Sequence, residues 1–222
     1  MPTLPLSQAA ALYGIPETAL RLMRGGQYTY VFQFFKKERE YILRLIPLSE
    51  DAELPNLKAT VAWLQYLVRG GALVPEPVAT TRGSYVESIL HEGREWLVMA
   101  VTVAHGTPAE NLGLDRWDAA LYQELGRTVG AVHALSRKFA PPGGLRRPDW
   151  DETVNLFNHP PPEHEWLAKK QAAVLGRIHK LPRGGEDYGM IHAALHFGNF
   201  IIDFSETCIT LVDLDDCAFG WY

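Results

Sequence analysis

The chain has 222 residues, of which 47% are hydrophobic, and it carries a formal net charge of −5 at pH 7, a composition that supports a folded core. The negative charge argues against a general surface for nucleic acid or anionic membranes, no apolar run is long enough to span a membrane, and the first residues lack the pattern of a signal peptide. The two cysteines, Cys208 and Cys217, have no Cys–His cluster around them, so we expect cytosolic thiols in a cytoplasmic protein.

The first predicted elements are a short helix and a hairpin that follows a pair of glycines. The helix is expected over residues 7–13, and apolar strands over 31–35 and 41–46 flank a charged tip. Gly25 and Gly26 lie before the first strand. Because glycine lets the backbone approach a phosphate closely, the pair is compatible with a phosphate-covering loop. A plain hairpin loop explains the same two residues, so the pair alone does not decide the matter.

Arg44 interrupts the second strand of this hairpin, whose other residues are mostly apolar. A cation among apolar neighbours needs a carboxylate or a phosphate as its partner. Arginine would hold a phosphate by a rigid, forked contact. The alternative is a half-exposed strand with Arg44 on its solvent side. The motifs further along the chain favour the phosphate contact.

A helix and a further pair of strands complete the N-terminal half. Apolar residues recur at helical spacing over residues 56–68 and predict a helix, which a Gly-Gly pair ends. Strands are expected over residues 85–90 and 96–103, joined by a turn.

The next part of the chain is predicted to be mainly helical. Asp115 is a candidate N-cap for a long helix that runs to about Lys138, and residues 163–179 predict another helix. Clusters of proline and glycine separate the two. The loop that carries Arg147 is expected to be solvated, although it could contact a substrate.

The most informative pattern lies near the C-terminus, where His192, Ala194 and Asn199 occur at the spacing of a kinase catalytic loop. Such a loop has a His, an acidic base two residues later and an Asn five residues after the base. The base position holds Ala194. Strands over residues 200–203 and 209–212 predict a hairpin that returns Asp213 to Asn199. Amide and carboxylate oxygens both suit Mg²⁺, so the pattern predicts a magnesium site at Asn199 and Asp213.

These residues resemble the aminoglycoside phosphotransferase and choline kinase superfamily, and within it the bacterial homoserine-kinase-like and stress-response-kinase-like members. The catalytic loop of that family reads His-x-Asp-Leu-His-x-Gly-Asn, and its metal segment reads Ile-Asp-Phe-Asp-Asp-Cys. The corresponding segments are residues 192–199 and 212–217. The resemblance extends over nearly the whole chain, and its highly specific part is this region.

The resemblance implies cofactor-binding roles in the N-terminal half. It assigns the phosphate-covering loop to Gly25 and Gly26, and the cation that contacts the nucleotide phosphates to Arg44. The hinge that contacts the adenine edge would fall at residues 99–102, with Met99 and Val101 as candidates.

The resemblance also implies an acid on the helix that follows, as a partner for Arg44. By register with the family this position is Thr60, which is a second departure from the pattern after Ala194. Glu53 could substitute if the helix starts earlier, although Pro55 must then lie in its first turn.

The implied fold is α+β and two-lobed, like that of a protein kinase. Residues 1–100 would form a small nucleotide-holding lobe with an antiparallel sheet. Residues 101–222 would form a mainly helical lobe with the catalytic loop and the metal-binding hairpin. Because relatives continue with further helices, this lobe is expected to be truncated and to expose apolar surface. We therefore expect a homo-oligomer, or Trp221 and Tyr222 buried against another copy.

Two classes of function follow from these patterns. The first is an ATP- and Mg²⁺-dependent phosphotransferase that moves the γ-phosphate to a hydroxyl of a small molecule, with Ala194 at the base position. The second is a pseudokinase that binds nucleotide as a regulatory or partner-binding module. A positioned base typically contributes about 10²–10⁴-fold, so its loss need not abolish transfer. The acceptor stays open between an aminoglycoside, homoserine, a choline-like amine, a sugar and a protein serine.

Overall fold

A computed structural model describes residues 3–25, 29–48, 54–153 and 164–222. The helices are α1 (Leu6–Leu12), α2 (Leu54–Arg69), α3 (Ala119–Ser136), α4 (Trp150–Thr153) and α5 (Glu165–Ile178). The strands are β1 (Arg21–Gly25), β2 (Tyr30–Lys36), β3 (Arg39–Pro47), β4 (Glu87–His91), β5 (Arg94–Thr102), β6 (Thr107–Pro108), β7 (Tyr188–Ile191), β8 (Phe200–Asp203), β9 (Cys208–Leu211) and β10 (Ala218–Trp221). Within these described ranges, no helix combines the length and the apolar character needed to cross a membrane.

The N-terminal half is a five-stranded antiparallel sheet in the order β1-β2-β3-β5-β4. Its inner strand β5 lies between β3 and β4 and packs on both faces, because successive side chains of a strand point to opposite sides. Trp96 and Val98 pack with α1 in one apolar cluster. Leu97 and Met99 pack with α2 in another. The sheet therefore lies between α1 and α2, and α2 forms the face turned toward the rest of the chain.

The C-terminal half surrounds a second core that α2 shares. Two small antiparallel sheets, β10-β7 and β6-β8-β9, contact α3. Trp63 and Leu67 of α2 are fully buried in the same cluster as Val132 of α3 and Met190 of β7. The fold is thus α+β with an antiparallel sheet followed by helices, as expected. The proposed boundary at residue 100 lies two residues before the end of β5 (Arg94–Thr102) and remains a prediction.

Two helix starts differ from the sequence-based expectation. The described part of helix α2 already includes Leu54 and Pro55, which the expected range 56–68 left out. Helix α3 is capped by Asp118, whose carboxylate accepts a hydrogen bond from the Leu121 N–H at 2.9 Å. The predicted cap at Asp115 is wrong, because that residue lies in a separate 3₁₀ turn before the helix.

Gly106 lies where the chain leaves the five-stranded sheet and presses against β8. Its φ of 133° belongs to a region that side-chain-bearing residues rarely adopt, and a Cβ there would collide with the Ile202 carbonyl. The close approach brings the connection between the two halves directly onto the strand that follows the predicted catalytic loop.

Trp221 and Tyr222 are half-buried against residues of their own chain, and their burial against another copy stays a prediction. Trp221 pairs with Tyr188 across the β7–β10 ladder and donates from Nε1 to the Pro182 carbonyl at 2.9 Å. The Tyr222 ring lies 4.9 Å from that of His133. Helix α5 nevertheless exposes apolar side chains, namely Trp166, Leu167 and Val174. Self-association remains an expectation that these exposed groups motivate.

Candidate active site

The predicted catalytic loop begins at a buried histidine that ties it to the metal segment. His192 follows β7 and is 1% exposed. Its Nε2 lies 2.9 Å from the Val212 carbonyl, and its Nδ1 accepts from the Ala194 N–H at 3.4 Å. These two contacts make Nε2 the donor and Nδ1 the acceptor. His192 therefore has a positioning role, since it joins the start of the loop to the residue before Asp213.

The asparagine of the loop closes a second link. Asn199 is 6% exposed and donates from Nδ2 to the Ala194 carbonyl at 2.8 Å. This bond fixes the amide so that Oδ1 is left as an acceptor, the atom that a magnesium ion would use. Ala193 has a φ of 63°, the left-handed conformation that non-glycine residues rarely adopt and that recurs at functional sites.

The hairpin of β8 and β9 brings Asp213 back to this loop, as the sequence predicted. Phe200 pairs with Leu211 in the ladder, and one residue further the Val212 N–H donates to the Asn199 carbonyl at 3.0 Å. Asp213 follows with φ 59° and ψ 57°, also left-handed. Its side chain is 45% exposed. The backbone bond between Val212 and Asn199 joins the residue before Asp213 to Asn199. Amide and carboxylate oxygens are ligands that Mg²⁺ prefers.

Arg44 reaches this segment from the N-terminal half of the chain. In β3 it lies on the face toward α2, and its guanidinium forks between two carboxylates. Nη2 lies 2.9 Å from Asp213 Oδ1, and Nη1 lies 2.9 Å from Asp215 Oδ2. The alternative in which Arg44 lies on the solvent side of a half-exposed strand is excluded, because its side chain is only 16% exposed.

The pKa values of Arg44 and Asp215 are shifted by burial and by the charges close to these two residues. Burial acts to lower the pKa of Arg44, but the charges of Asp215 and Asp213 outweigh it and raise that pKa above its ordinary value. Burial raises the pKa of Asp215, and the Arg44 charge opposes this rise. The arginine is thus permanently charged, and it is what favours the ionised form of Asp215.

The position on helix α2 that was expected to hold an acid as the partner of Arg44 holds Thr60, which carries no charge. Thr60 is fully buried, and its hydroxyl contacts the Asn56 carbonyl at 3.2 Å and Cys217 Sγ at 3.5 Å. Glu53 lies outside the described residues. Helix α2 (Leu54–Arg69) has no Asp or Glu in its sequence, so no side chain of this helix supplies the missing charge.

The other predicted nucleotide contacts have different outcomes. Gly25 ends β1 and pairs with Tyr30, whereas Gly26 lies outside the described residues. Met99 is 1% exposed and lies opposite Arg44 in the β3–β5 ladder. Val101 lies between β3 on one side and Pro77 on the other. Both are inside the sheet, which argues against an adenine contact through their backbones. The chain immediately after Thr102 is the better hinge candidate.

The sequence did not predict the contacts of two further residues, Asp215 and Arg147. Asp215 belongs to the metal motif, which assigns it no separate role. Arg147, expected in a solvated loop, instead donates from Nη2 to the Asp215 carbonyl at 2.7 Å and from Nε to the Cys217 carbonyl at 2.6 Å. A second acid in the metal segment together with an acid-free helix α2 was the signal available for Asp215. No sequence signal indicated the contacts of Arg147.

His196 accepts a hydrogen bond from the Gly198 N–H at 3.0 Å and so caps its own turn.

The packing of the metal segment can be tested with its cysteine. Cys217 is fully buried, and burial raises its pKa to about 11. Cys208 is only partly buried. Burial also raises the pKa of Cys208, but its side chain is partly exposed. Since the accessible thiolate is the reactive form, iodoacetamide at pH 8 should label Cys208 and leave Cys217 unmodified, whereas both react in urea. Both cysteines lie in the one tryptic peptide of residues 184–222, so fragmentation of that peptide by tandem mass spectrometry locates the label. Equal labelling of the two cysteines in the folded protein would contradict the packing described here.

The fold and this set of residues are those expected of a kinase-type phosphotransferase. A family profile described as the phosphotransferase enzyme family matches residues 19–222. The chain belongs to that family.

Characterised relatives phosphorylate small molecules. The chain is 29% identical over 225 residues to an amicoumacin kinase of Bacillus subtilis (strain 168), covering 98% of this chain and 64% of that protein. A solved amicoumacin kinase in complex with AMP-PNP, Ca²⁺ and Ami is 25% identical with a TM-score of 0.87, over 97% of this chain and 64% of that one. A microcompartment-associated aminopropanol kinase is 26% identical with a TM-score of 0.78, over 97% and 70%. The chain thus spans 64% of the length of both amicoumacin kinases.

Proposed function

We propose that this chain binds Mg-ATP and belongs to a phosphotransferase that moves the γ-phosphate to a hydroxyl of a small molecule. The observation that carries the proposal is the bonded link between the catalytic loop and the metal segment. It runs from His192 to Val212, from Val212 to Asn199 and from Asn199 to Ala194. This link supports the proposal that Asn199 and Asp213 together hold the metal, because it joins Asn199 to the residue before Asp213.

Each residue of the candidate site has a proposed part in phosphoryl transfer. Asn199 and Asp213 would hold the Mg²⁺, which neutralises charge on the nucleotide phosphates when bound. Arg44 would contact the phosphates, and the Gly25-Gly26 turn would cover them. The adenine edge would contact the backbone after Thr102. Catalysis of this kind rests mainly on positioning and charge stabilisation, which these residues supply without a base.

The pseudokinase alternative rests on two departures, Ala194 and Thr60. In that alternative the same residues bind nucleotide, and nucleotide binding changes how the chain binds a partner. The names of the relatives favour the first reading, and they indicate that amicoumacin and aminopropanol belong among the acceptors to be tested. We propose a small hydroxyl compound as the acceptor.

The proposed metal site predicts how Asp213→Ala behaves. Calorimetry should show that wild-type protein binds ATP more tightly with Mg²⁺ than without it. Asp213→Ala should abolish this difference, because one of two protein ligands is lost. It should not abolish ATP binding itself, since the change also frees one arm of Arg44 for a phosphate.

Asp187→Ala is the matched control, because Asp187 is an exposed acid outside this site. It should keep the wild-type dependence on Mg²⁺. If wild-type protein binds ATP equally well with and without Mg²⁺, the assignment of Asn199 and Asp213 as ligands is wrong. A screen of hydroxyl compounds with Mg-ATP then separates transferase from pseudokinase.

A further inference from the structure

Arg44 is held by two carboxylates of the same short segment, and the two are not equivalent. The Asp213 side chain is 45% exposed and is the proposed metal ligand, whereas the Asp215 side chain is 26% exposed. When Asp213 binds a cation, its contact with Arg44 competes with that cation. Asp215 has no such second partner in the proposed site. It can therefore hold Nη1 of Arg44 at 2.9 Å whether or not nucleotide is present.

Asp215 is itself fixed by the surrounding structure. It lies in the 3₁₀ turn Leu214–Asp216, whose first residue is 3% exposed. The Cys217 N–H closes the turn onto the Leu214 carbonyl at 3.2 Å. Arg147 then clamps the backbone by donating to the Asp215 carbonyl at 2.7 Å. A carboxylate on so restrained a backbone can fix the direction of a long, flexible side chain.

Helix α2 (Leu54–Arg69) does not provide a carboxylate partner for Arg44. It contains no Asp or Glu, and Thr60 engages the Asn56 carbonyl and the Cys217 thiol instead. A buried guanidinium without a carboxylate partner is strongly unfavourable, so a charge from elsewhere is required. Asp215 is the described carboxylate that pairs with Arg44 and is free of the metal role.

We propose that Asp215 is the positioning residue for Arg44, taking the place of a helix acid, so that Arg44 keeps one arm on Asp215 and turns the other to the nucleotide phosphates. This inference rests on the proposed function. It adds that the metal segment provides both the metal ligand and the anchor of the phosphate-binding cation. The orientation of Arg44 is then coupled to the metal segment rather than to movement of α2.

The test compares Asp215→Asn, Arg44→Gln and the double variant by calorimetry with Mg-ATP and with adenosine, which lacks phosphates. Loss of a charge-assisted hydrogen bond implies about a 10- to 100-fold weaker affinity for Mg-ATP in each single variant. The affinity for adenosine should not change. Because Asp215 acts through Arg44, the double variant should bind Mg-ATP no more weakly than Arg44→Gln alone. Asp187→Asn serves as the matched control.

Three results would overturn the proposal. Asp215→Asn could bind Mg-ATP as wild-type does, the two losses could add in the double variant, or Asp215→Asn could lose the dependence on Mg²⁺. The last result would make Asp215 a metal ligand. Circular dichroism establishes that each variant is folded, and Asp215→Glu, which keeps the charge, should recover part of the affinity.

A readout without nucleotide separates this proposal from the proposed function. In ¹⁵N spectra of arginine-labelled protein, assigned with Arg44→Gln, the forked guanidinium should show resolved Nη protons. Asp215→Asn should average those on the Nη1 side. If wild-type protein binds no nucleotide, the proposed function fails, and these spectra still decide whether Asp215 holds Arg44. Unchanged Arg44 signals in Asp215→Asn would sink the pairing in either case.

Discussion

Ala194→Asp is expected to raise the rate of phosphoryl transfer at least tenfold, since a positioned general base is typically worth about 10²–10⁴-fold. The backbone at this position is already held on both sides. The Ala194 N–H donates to His192 Nδ1 at 3.4 Å, and its carbonyl accepts from Asn199 Nδ2 at 2.8 Å. The side chain of residue 194 is partly exposed, so a carboxylate there is not buried without a partner. Initial rates with saturating Mg-ATP and a panel of hydroxyl compounds measure the effect.

Ala194→Asn is the matched control, because it has the size of the aspartate but does not accept a proton as a base. It should leave the rate near that of the wild-type chain. A gain of equal size in both variants would mean that shape, not proton acceptance, limits the reaction. No gain with any acceptor, despite tight binding of Mg-ATP, would favour the pseudokinase reading.

Trp63→Ala is expected to lower the free energy of unfolding by about 3–5 kcal/mol, the range for deleting a large buried aromatic side chain. Trp63 is fully buried in the core that α2 shares with the C-terminal half. Its Nε1 donates to the buried Ser136 hydroxyl at 2.9 Å, which joins α2 to the end of α3. A loss of this size is a large part of the roughly 5–15 kcal/mol that typically stabilises a domain. Urea unfolding followed by far-ultraviolet circular dichroism measures it.

The chain offers a matched tryptophan on its surface. Trp166 of α5 is 58% exposed, so Trp166→Ala should change the unfolding free energy by no more than about 0.5 kcal/mol. Trp63→Phe should lie between the two, because it fills most of the space but leaves the Ser136 hydroxyl without its donor. Equal effects of Trp63→Ala and Trp166→Ala would show that the shared core does not hold the two halves together.

Much of the local structure followed from short-range patterns. A run of aromatic and β-branched residues over 200–203 predicted β8 with its observed bounds, and the hairpin with β9 returned the chain at Asp213 to Asn199 as expected. Helical spacing predicted α2 over residues 56–68, and the described helix covers this range. Where a short-range pattern was ambiguous, the prediction failed. Asp115 and Asp118 are three residues apart, and the structure places Asp115 in a separate 3₁₀ turn and Asp118 at the cap of α3.

The sequence by itself determined the order of the chemistry-bearing residues, since the spacing from His192 to Asn199 and the return of Asp213 depend on a turn and a hairpin that local residues specify. Tertiary structure alone decided what Arg44 contacts. Its partner Asp213 is 169 residues away, and Asp215 and Arg147 gain their roles only when the five-stranded sheet packs against the metal segment. Hydrophobic periodicity and capping act over a few residues, whereas the pairing of buried charges depends on which distant surfaces meet. For the same reason, the place of Met99 inside the β3–β5 ladder became visible only in the folded chain.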